Sequence, residues 1–285
     1  MKKTISFQGE LGSYSHQACL ELDKEVVVTP CLTFEAAIES VVQGRADFAM
    51  LPIENSTYGR VADIHHLLPR SGLKIVKEHF LRVRINLLAV KGTKLTEISE
   101  AMSHSVLLGQ CRKFLTENNI RSLTGLDTAG SAKKVSMKKD KTIAALASKL
   151  AGEIYGLETV ASNIEDMKNN TTRFLLMARE QEESIRISGK TGYMTTVVFQ
   201  VRNIPAALYK ALGGFATNGV NMLKLESYMI DGSFTATQFY LDIEGHPTEI
   251  SVKNALEELS YFTFYFSILG VYPKHSFREN IMQNS

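Results

Sequence analysis

Residues 33–55, TFEAAIESVVQGRADFAMLPIEN, change their hydrophobic period partway along. From Thr33 to Gly44 the apolar side chains Phe34, Ala37, Ile38, Val41 and Val42 recur at helical spacing and share one face. Thr33 supplies an N-cap and Gly44 a stop. DFAML, 47–51, is then a short unbroken apolar run, the pattern of a buried strand. It runs straight into Glu54, Asn55, Ser56 and Thr57. A helix, a buried strand and a polar cluster at the strand's carboxyl end point to an α/β fold, in which ligands gather beyond the carboxyl ends of strands.

Outward from this stretch the alternation continues over the first 180 residues. KTISF, 3–7, reads as a strand, and LKIVKEHFLRVRINLLAVKG, 73–92, as two. GQCRKFLTENN, 109–119, reads as a helix, and TIAALAS, 142–148, and FLLMA, 174–178, as buried strands. At REQEESIRISGKTG, 179–192, the chain becomes charged and aperiodic, as in a linker or a solvated loop. Beyond it, TTVVFQV, 195–201, is a strand. Pro205 opens a helix with Leu208, Leu212 and Phe215 on one face, and Asn218 and Gly219 end it. NMLKLESYMI and SFTATQFYLDIE are strands, and TEISVKNALEEL is a helix with Val252, Ala255, Leu256 and Leu259 on one face. FTFYFSIL, 262–269, alternates so that Phe262, Phe264, Phe266 and Ile268 point one way. The order β-α-β-β-α-β is that of a ferredoxin-like unit.

The 285 residues fit two domains of roughly 150 each. Hydrophobic residues make up 44% and charged residues 22%, the balance of a folded globular chain. A net charge of +2 is too small to imply a polyanionic partner. No run of about 18 apolar residues reads as a membrane span. The start, MKKTISFQGELG, reaches Gln8, Gly9 and Glu10 before the apolar core of a secretory signal forms. Cys19, Cys31 and Cys111 are odd in number and far apart, which fits a cytoplasmic chain with free thiols and no metal spacing. His65 and His66 lie about 100° apart on a helix and would not hold one metal together. KKVSMKKDK, 133–141, lacks interleaved aromatics and reads as a solvated face, not a nucleic-acid patch.

Polar clusters carry the candidate chemistry. QGELGSYSH, 8–16, follows a strand, and its Ser13, Tyr14 and Ser15 offer either an anion-binding turn or an ordinary helix cap. Glu54, Asn55 and Ser56 form a ligand-facing rim or a capped turn. SHSVLLGQC, 103–111, and LDTAGSA, 126–132, place Ser103, His104, Gln110 and Thr128 near helix starts, where capping competes with binding. NNTTRFLLMA, 169–178, sets Thr172 and Arg173 at the mouth of a buried strand. A desolvated guanidinium needs an anion. The adjacent sequence offers none, so it comes from a ligand carboxylate or phosphate, or from a more distant side chain such as Glu54.

Together these blocks resemble the prephenate dehydratase family over nearly the whole chain. Thr172, Arg173 and Phe174 match its Thr-Arg-Phe motif, and residues 52–56 match Pro-Ile-Glu-Asn-Ser, with Gly59 and Val61 at the expected offsets. GSYSH matches its Gly-x-x-Ser-His start, and 103–111 its Ser-His…Gln-Cys block. The C-terminal unit resembles an ACT domain, a small amino-acid-binding module. Its usual Pro-Gly-Ala-Leu reads Pro205-Ala206-Ala207-Leu208 here, and its usual Glu-Ser-Arg-Pro reads Glu226-Ser227-Tyr228-Met229.

The resemblance implies a catalytic region over 1–182, built of two α/β lobes (1–78 with 163–182, and 79–162) similar to type II periplasmic binding proteins. A linker at 183–192 and an ACT domain over 193–273 would follow. The implied reaction is decarboxylation and dehydration of prephenate to phenylpyruvate, toward phenylalanine, without a cofactor or metal. Arogenate dehydratase is the neighbouring alternative, and a non-catalytic ligand sensor the alternative of another class. In the implied mechanism Arg173 holds the carboxylate that stays, since a cation on the leaving one would stabilise the ground state more than the transition state. Thr172 donates to the departing hydroxide. Asn55, Ser56, Gln110 and the turn of Ser13, Tyr14 and Ser15 make neutral hydrogen bonds, Ser103, His104 and Thr128 bind substrate, Phe174 shapes the pocket, and Glu54 orients its neighbours or discriminates between substrates. Ala206, Ala207, Leu208, Asn221, Leu225, Glu226 and Ser227 would bind L-phenylalanine at the interface of a homodimer or homotetramer. No nucleic acid or membrane partner is implied.

Overall fold

The computed structural model describes residues 2–180, 192–230 and 236–282. The linker predicted at 183–192 lies outside them except for Gly192. The chain divides into two compact units, residues 1–61 with 79–174 and residues 62–78 with 175–285.

The chain begins with β1 (Thr4–Gln8), α1 (Tyr14–Leu22), β2 (Val27–Cys31), α2 (Phe34–Val42), β3 (Phe48–Asn55), β4 (Gly59–Arg60), α3 (Ala62–Leu67) and β5 (Lys74–Arg82). β6 (Asn86–Ala89), β7 (Glu100–Ser103), α4 (Ser105–Gln110), α5 (Arg112–Glu117), β8 (Arg121–Thr124), α6 (Thr128–Lys138), β9 (Ile143–Ala147), α7 (Lys149–Tyr155) and β10 (Glu158–Ala161) follow. The remainder is β11 (Thr171–Ala178), β12 (Tyr193–Val201), α8 (Ala207–Thr217), β13 (Met222–Met229), β14 (Ala236–Glu244), α9 (Ile250–Phe262), β15 (Thr263–Pro273) and α10 (Phe277–Met282).

In the first unit, β1 lies between β2 and β3 with parallel pairing, and β11 flanks β3. α2 begins as its sequence dictates: the Thr33 hydroxyl accepts from the Ala36 N–H at 3.1 Å. Ala37, Ile38 and Val41 face the core, whereas Val42, placed on that face by period alone, is 51% exposed. The second lobe is a five-stranded sheet in the order β10-β6-β9-β7-β8, in which β7 pairs in parallel with β8 and β9. The helix expected at 109–119 breaks at Cys111, whose backbone (φ −119°, ψ 21°) leaves helical geometry between α4 and α5. Two sheets, one to a lobe, give the two-lobed α/β architecture anticipated from the sequence.

Two chain crossings join the lobes, and they are tied to one another. Val83 N–H donates to Asn170 O at 2.9 Å, and Ile164 N–H to Ile85 O at 3.0 Å. The buried Glu165 carboxylate accepts from Ile85 N–H at 2.9 Å and lies 3.5 Å from Arg82. The loop after β1 also reaches the second lobe. Ser148 Oγ donates to Gly12 O at 2.5 Å, and Tyr155 OH to Leu11 O at 2.8 Å. Gly12 has φ +89°, and a Cβ there would sit 2.7 Å from Ala151 Cα, so only glycine fits.

The second unit contains the ferredoxin-like arrangement, strands β13-β14-β12-β15 in antiparallel order. Val252, Ala255, Leu256 and Leu259 of α9 and Ala211 and Phe215 of α8 pack over one face with Val197, Phe199, Phe239 and Leu241. The phenylalanine alternation holds only in part. α9 continues to Phe262, the strand starts after it, and Phe266 and Ile268 pack inward while Phe264 is 58% exposed. His65 meets the Tyr240 ring edge-on at 4.9 Å, and His66 meets Tyr228 at 5.3 Å. Glu78, fully enclosed, receives Arg278 Nε at 2.8 Å and Nη2 at 2.9 Å.

Ala206 precedes α8 in the left-handed region, φ 61° and ψ 17°. That conformation crowds a Cβ against the backbone and suits glycine. Ala206→Gly is therefore expected to raise the unfolding free energy by about 1 kcal/mol, read from urea denaturation. An unchanged or lower midpoint would mean that the turn carries no strain.

Candidate active site

The site is organised by how β3 meets β11. Ser56 N–H donates to Thr171 O, and Thr171 N–H to Ser56 Oγ, both at 2.9 Å. One step along, Asn55 Nδ2 donates to Thr172 Oγ1 at 3.0 Å. One step further, Arg173 Nη1 donates to Glu54 Oε1 at 2.9 Å. One set of numbers falls as the other rises, as in antiparallel pairing. Successive strand side chains point to opposite faces, so Asn55 and Thr172 share one face and Glu54 and Arg173 the other.

The guanidinium of Arg173 is buried at 2% exposure, and its counter-charge is a protein carboxylate. Of the two sources the sequence left open, the distant side chain Glu54 is the one observed. Arg173 and Thr172, adjacent in the motif, do not face the same space.

On the other face a chain of amides runs across the lobes. Asn55 Oδ1 accepts from Thr57 N–H at 2.9 Å and Tyr58 N–H at 3.0 Å. Those backbone donors fix the amide, so its Nδ2 faces Thr172 Oγ1 and, at 2.7 Å, Asn170 Oδ1. Asn170 Nδ2 in turn donates to Gln110 Oε1 at 3.0 Å. Asn170 and Gln110 are buried. Gln110 closes α4 in the second lobe, whereas Asn55 and Thr172 belong to strands of the first. Asn170 stands in the quoted motif, but two adjacent asparagines ahead of a strand do not reveal which one turns inward.

The other expected residues are placed as follows. Ser56 Oγ donates to Asn169 O at 2.8 Å. Phe174 is buried, two residues along β11 from Thr172 and so on the same side. Ser13 caps α1 by accepting from His16 N–H at 3.3 Å, and Ser15 is buried in the first turn. Tyr14 OH donates to Arg84 O at 3.0 Å; burial, with Cys111 and Glu165 nearby, pushes its phenol well above the usual range. His16 accepts from Gly12 N–H through Nδ1 at 3.0 Å and stacks on Phe7. Burial lowers its pKa below the ordinary 6.5, in keeping with a neutral acceptor. Ser103, expected to bind substrate, gives its hydroxyl to Leu146 O at 2.7 Å inside the second sheet. His104 is exposed and caps α4 by accepting from Val106 N–H at 3.3 Å. Thr128 opens α6, whose cap is Asp127. Asp127, Ser131, Lys133 and Glu10 line a pocket of 270 Å³.

In the second unit, Leu225 and Ser227 are exposed on β13, Glu226 lies 3.5 Å from Lys224, and Ala207 and Leu208 open α8 behind Ala206. Asn221 Nδ2 donates to Glu244 Oε2 at 2.9 Å, and Lys274 pairs with the same carboxylate. Burial opposes the Glu244 charge, but Lys274 and Asn221 outweigh it and hold the carboxyl below its usual range. These three residues, with Tyr193, Glu249 and Ser251, line a cavity of 450 Å³.

The fold and the amide-lined site define a two-lobed α/β protein with an appended ferredoxin-like unit. The Prephenate dehydratase family profile matches residues 5–182, and the chain belongs to that family. It is 47% identical to a bifunctional N-acyl-homoserine lactone acylase/prephenate dehydratase of Komagataeibacter europaeus, over 97% of this chain and 98% of the relative. It is 38% identical to arogenate dehydratase/prephenate dehydratase 1 of Arabidopsis thaliana, over 95% of this chain and 72% of the relative. The crystal structure of a prephenate dehydratase from Arthrobacter aurescens in complex with L-Phe superposes with a TM-score of 0.84 at 27% identity, covering 99% of this chain and 98% of that one.

Removing one partner of this ion pair, in which Arg173 is buried and Glu54 partly so, weakens the compensation of the charge that remains. Arg173→Met and Glu54→Gln are each expected to lower the unfolding free energy by about 3 kcal/mol. Urea denaturation checks this. A normal midpoint with a raised KM would instead assign the guanidinium to a ligand.

Proposed function

We propose that the chain is a prephenate dehydratase regulated by phenylalanine, and that Thr172 is its catalytic donor. One observation supports this reading above the others. Thr172 Oγ1 already accepts from Asn55, and among the described residues its own hydrogen meets no acceptor. A hydroxyl that accepts one hydrogen bond donates a stronger one. It is thereby poised for an oxygen that gains negative charge, the leaving ring hydroxyl of prephenate.

The reaction then divides among the residues. The ring carboxylate departs as CO2, the electrons of its C–C bond enter the ring, and the hydroxyl leaves opposite with its bonding pair and takes up a proton from solvent to become water. Aromaticity supplies the driving force. Thr172 stabilises the departing oxygen as charge develops, and Asn55 holds Thr172 in place. Phe174 lowers the polarity around the leaving carboxylate. Arg173, engaged by Glu54 behind the strand, fixes the pairing of β3 with β11. The retained pyruvyl carboxylate meets the neutral donors of Ser13, Ser15 and Thr128, with Ser56 and Gln110 completing the polar wall. Prephenate is the proposed substrate in preference to arogenate, which carries an amino group where prephenate has a keto group; the names of the relatives divide between the two.

The C-terminal unit is proposed to be an ACT domain of a homo-oligomeric, cytoplasmic enzyme. Phenylalanine bound by Leu208, Asn221, Glu226 and Ser227 would favour a less active state, which requires different affinity for the two states. The L-Phe complex of the Arthrobacter protein supports that choice of effector. The name of the Komagataeibacter relative favours a second activity, hydrolysis of N-acyl-homoserine lactone, which a lactone turnover assay reads separately.

Phenylpyruvate formation tests the main reading. Thr172→Ala should lower kcat by about 100-fold, and Thr172→Ser should stay within about 10-fold of the wild type. Millimolar phenylalanine should depress the wild-type rate. Near-normal kcat in both variants would remove Thr172 from the mechanism.

A further inference from the structure

We propose that Asn170 is the positioning residue of this site: it touches no reacting atom and, by accepting one Nδ2 hydrogen of Asn55, keeps the other on the Thr172 hydroxyl. The inference rests on the dehydratase reading and adds to it a residue outside the motif triplet. The geometry leaves little freedom. Two backbone N–H groups hold Asn55 Oδ1, so both Nδ2 hydrogens must find acceptors on the other side. Those acceptors are Asn170 Oδ1 at 2.7 Å and Thr172 Oγ1 at 3.0 Å. Because Asn170 presents oxygen to Asn55, it presents Nδ2 to Gln110, whose Oε1 receives it at 3.0 Å. The row thus runs from the backbone donors at Asn55 out to Gln110, and Asn170 holds the second Nδ2 hydrogen of Asn55 so that the first stays on Thr172.

Asn170 is also where this row meets the crossing between the lobes. Its carbonyl accepts from Val83 N–H at 2.9 Å and Arg82 Nη1 at 3.3 Å. Its backbone is held at the crossing while its side chain joins Gln110 of one lobe to Asn55 of the other. A movement of α4 that draws Gln110 away leaves Asn170 Nδ2 without its acceptor, and the disturbance passes to Asn55. Full donor strength at Thr172 therefore requires Gln110 to be in place, which links the chemistry to the approach of the two lobes. Asn170 Oδ1 is the acceptor that matters toward Asn55. An aspartate keeps an acceptor there and an alanine does not.

The experiment measures kcat and KM for phenylpyruvate formation by the full chain in the wild type, Asn170→Ala, Asn170→Asp, Thr172→Ala and the double variant Asn170→Ala/Thr172→Ala. Asn170→Ala is expected to lower kcat by about 10- to 100-fold with KM within about threefold, and Asn170→Asp to recover much of the loss. Added to Thr172→Ala, Asn170→Ala is expected to cost less than about twofold, since a residue acting through another has nothing left to act on. If Asn170→Ala fails to fold, Asn170→Asp and Asn170→Ser carry the same comparison. A normal kcat in a folded Asn170→Ala, or a full additive loss in the double variant, overturns the proposal and leaves the dehydratase reading intact. A wild type that forms no phenylpyruvate overturns both.

Discussion

The pairing of Glu54 with Arg173 is the contact on which the rest of the first unit depends. It lies one residue from the pairing of Asn55 with Thr172, and the pleat of the strand puts the two on opposite faces. A slip of one residue between β3 and β11 would exchange them, sending the hydroxyl inward and the guanidinium outward. A buried guanidinium is tolerable only next to its carboxylate, so this pair penalises every other register. The charged pair behind the sheet thereby fixes where the neutral side chains in front of it point.

That arrangement separates tasks that neighbouring residues of a motif are easily assumed to share. Charge is confined to one side of the strand. The other side has amides and a hydroxyl, groups that orient a polar ligand without neutralising it. For a reaction that expels a carboxylate as CO2, a weakly polar surround is the better environment, because a cation beside the leaving group would stabilise the reactant. The anchoring is also uneven between the lobes. The crossings are tied by Glu165, Arg82 and the backbone of Asn170, and the loop at Gly12 is pressed on Ala151. Between these fixed points, the Gln110–Asn170 contact joins the lobes through side chains alone.

Most of the architecture was legible in the sequence, because it follows from local period and punctuation. The helix at Thr33, the buried run from Phe48 and the apolar face of Val252, Ala255, Leu256 and Leu259 depend on spacing, and burial follows spacing. The break at Cys111 and the extension of α9 to Phe262 were not legible, since both turn on backbone geometry that apolar period does not encode. In the site, the residue types were readable and the faces were not. Thr172, Asn55 and Gln110 come together, whereas Ser103 is committed to Leu146 within a sheet and His104 to its own helix. Asn170 escaped notice because its partners are 115 and 60 residues away along the chain, beyond any local pattern.

Which side of β11 the substrate occupies is the central question. A crystal structure of the Thr172→Ala variant with prephenate bound decides it. The ring hydroxyl should lie over the vacated Oγ1 position, beside Asn55 Nδ2, with Arg173 still on Glu54. A prephenate carboxylate bonded to the Arg173 guanidinium, with Glu54 displaced, would contradict it.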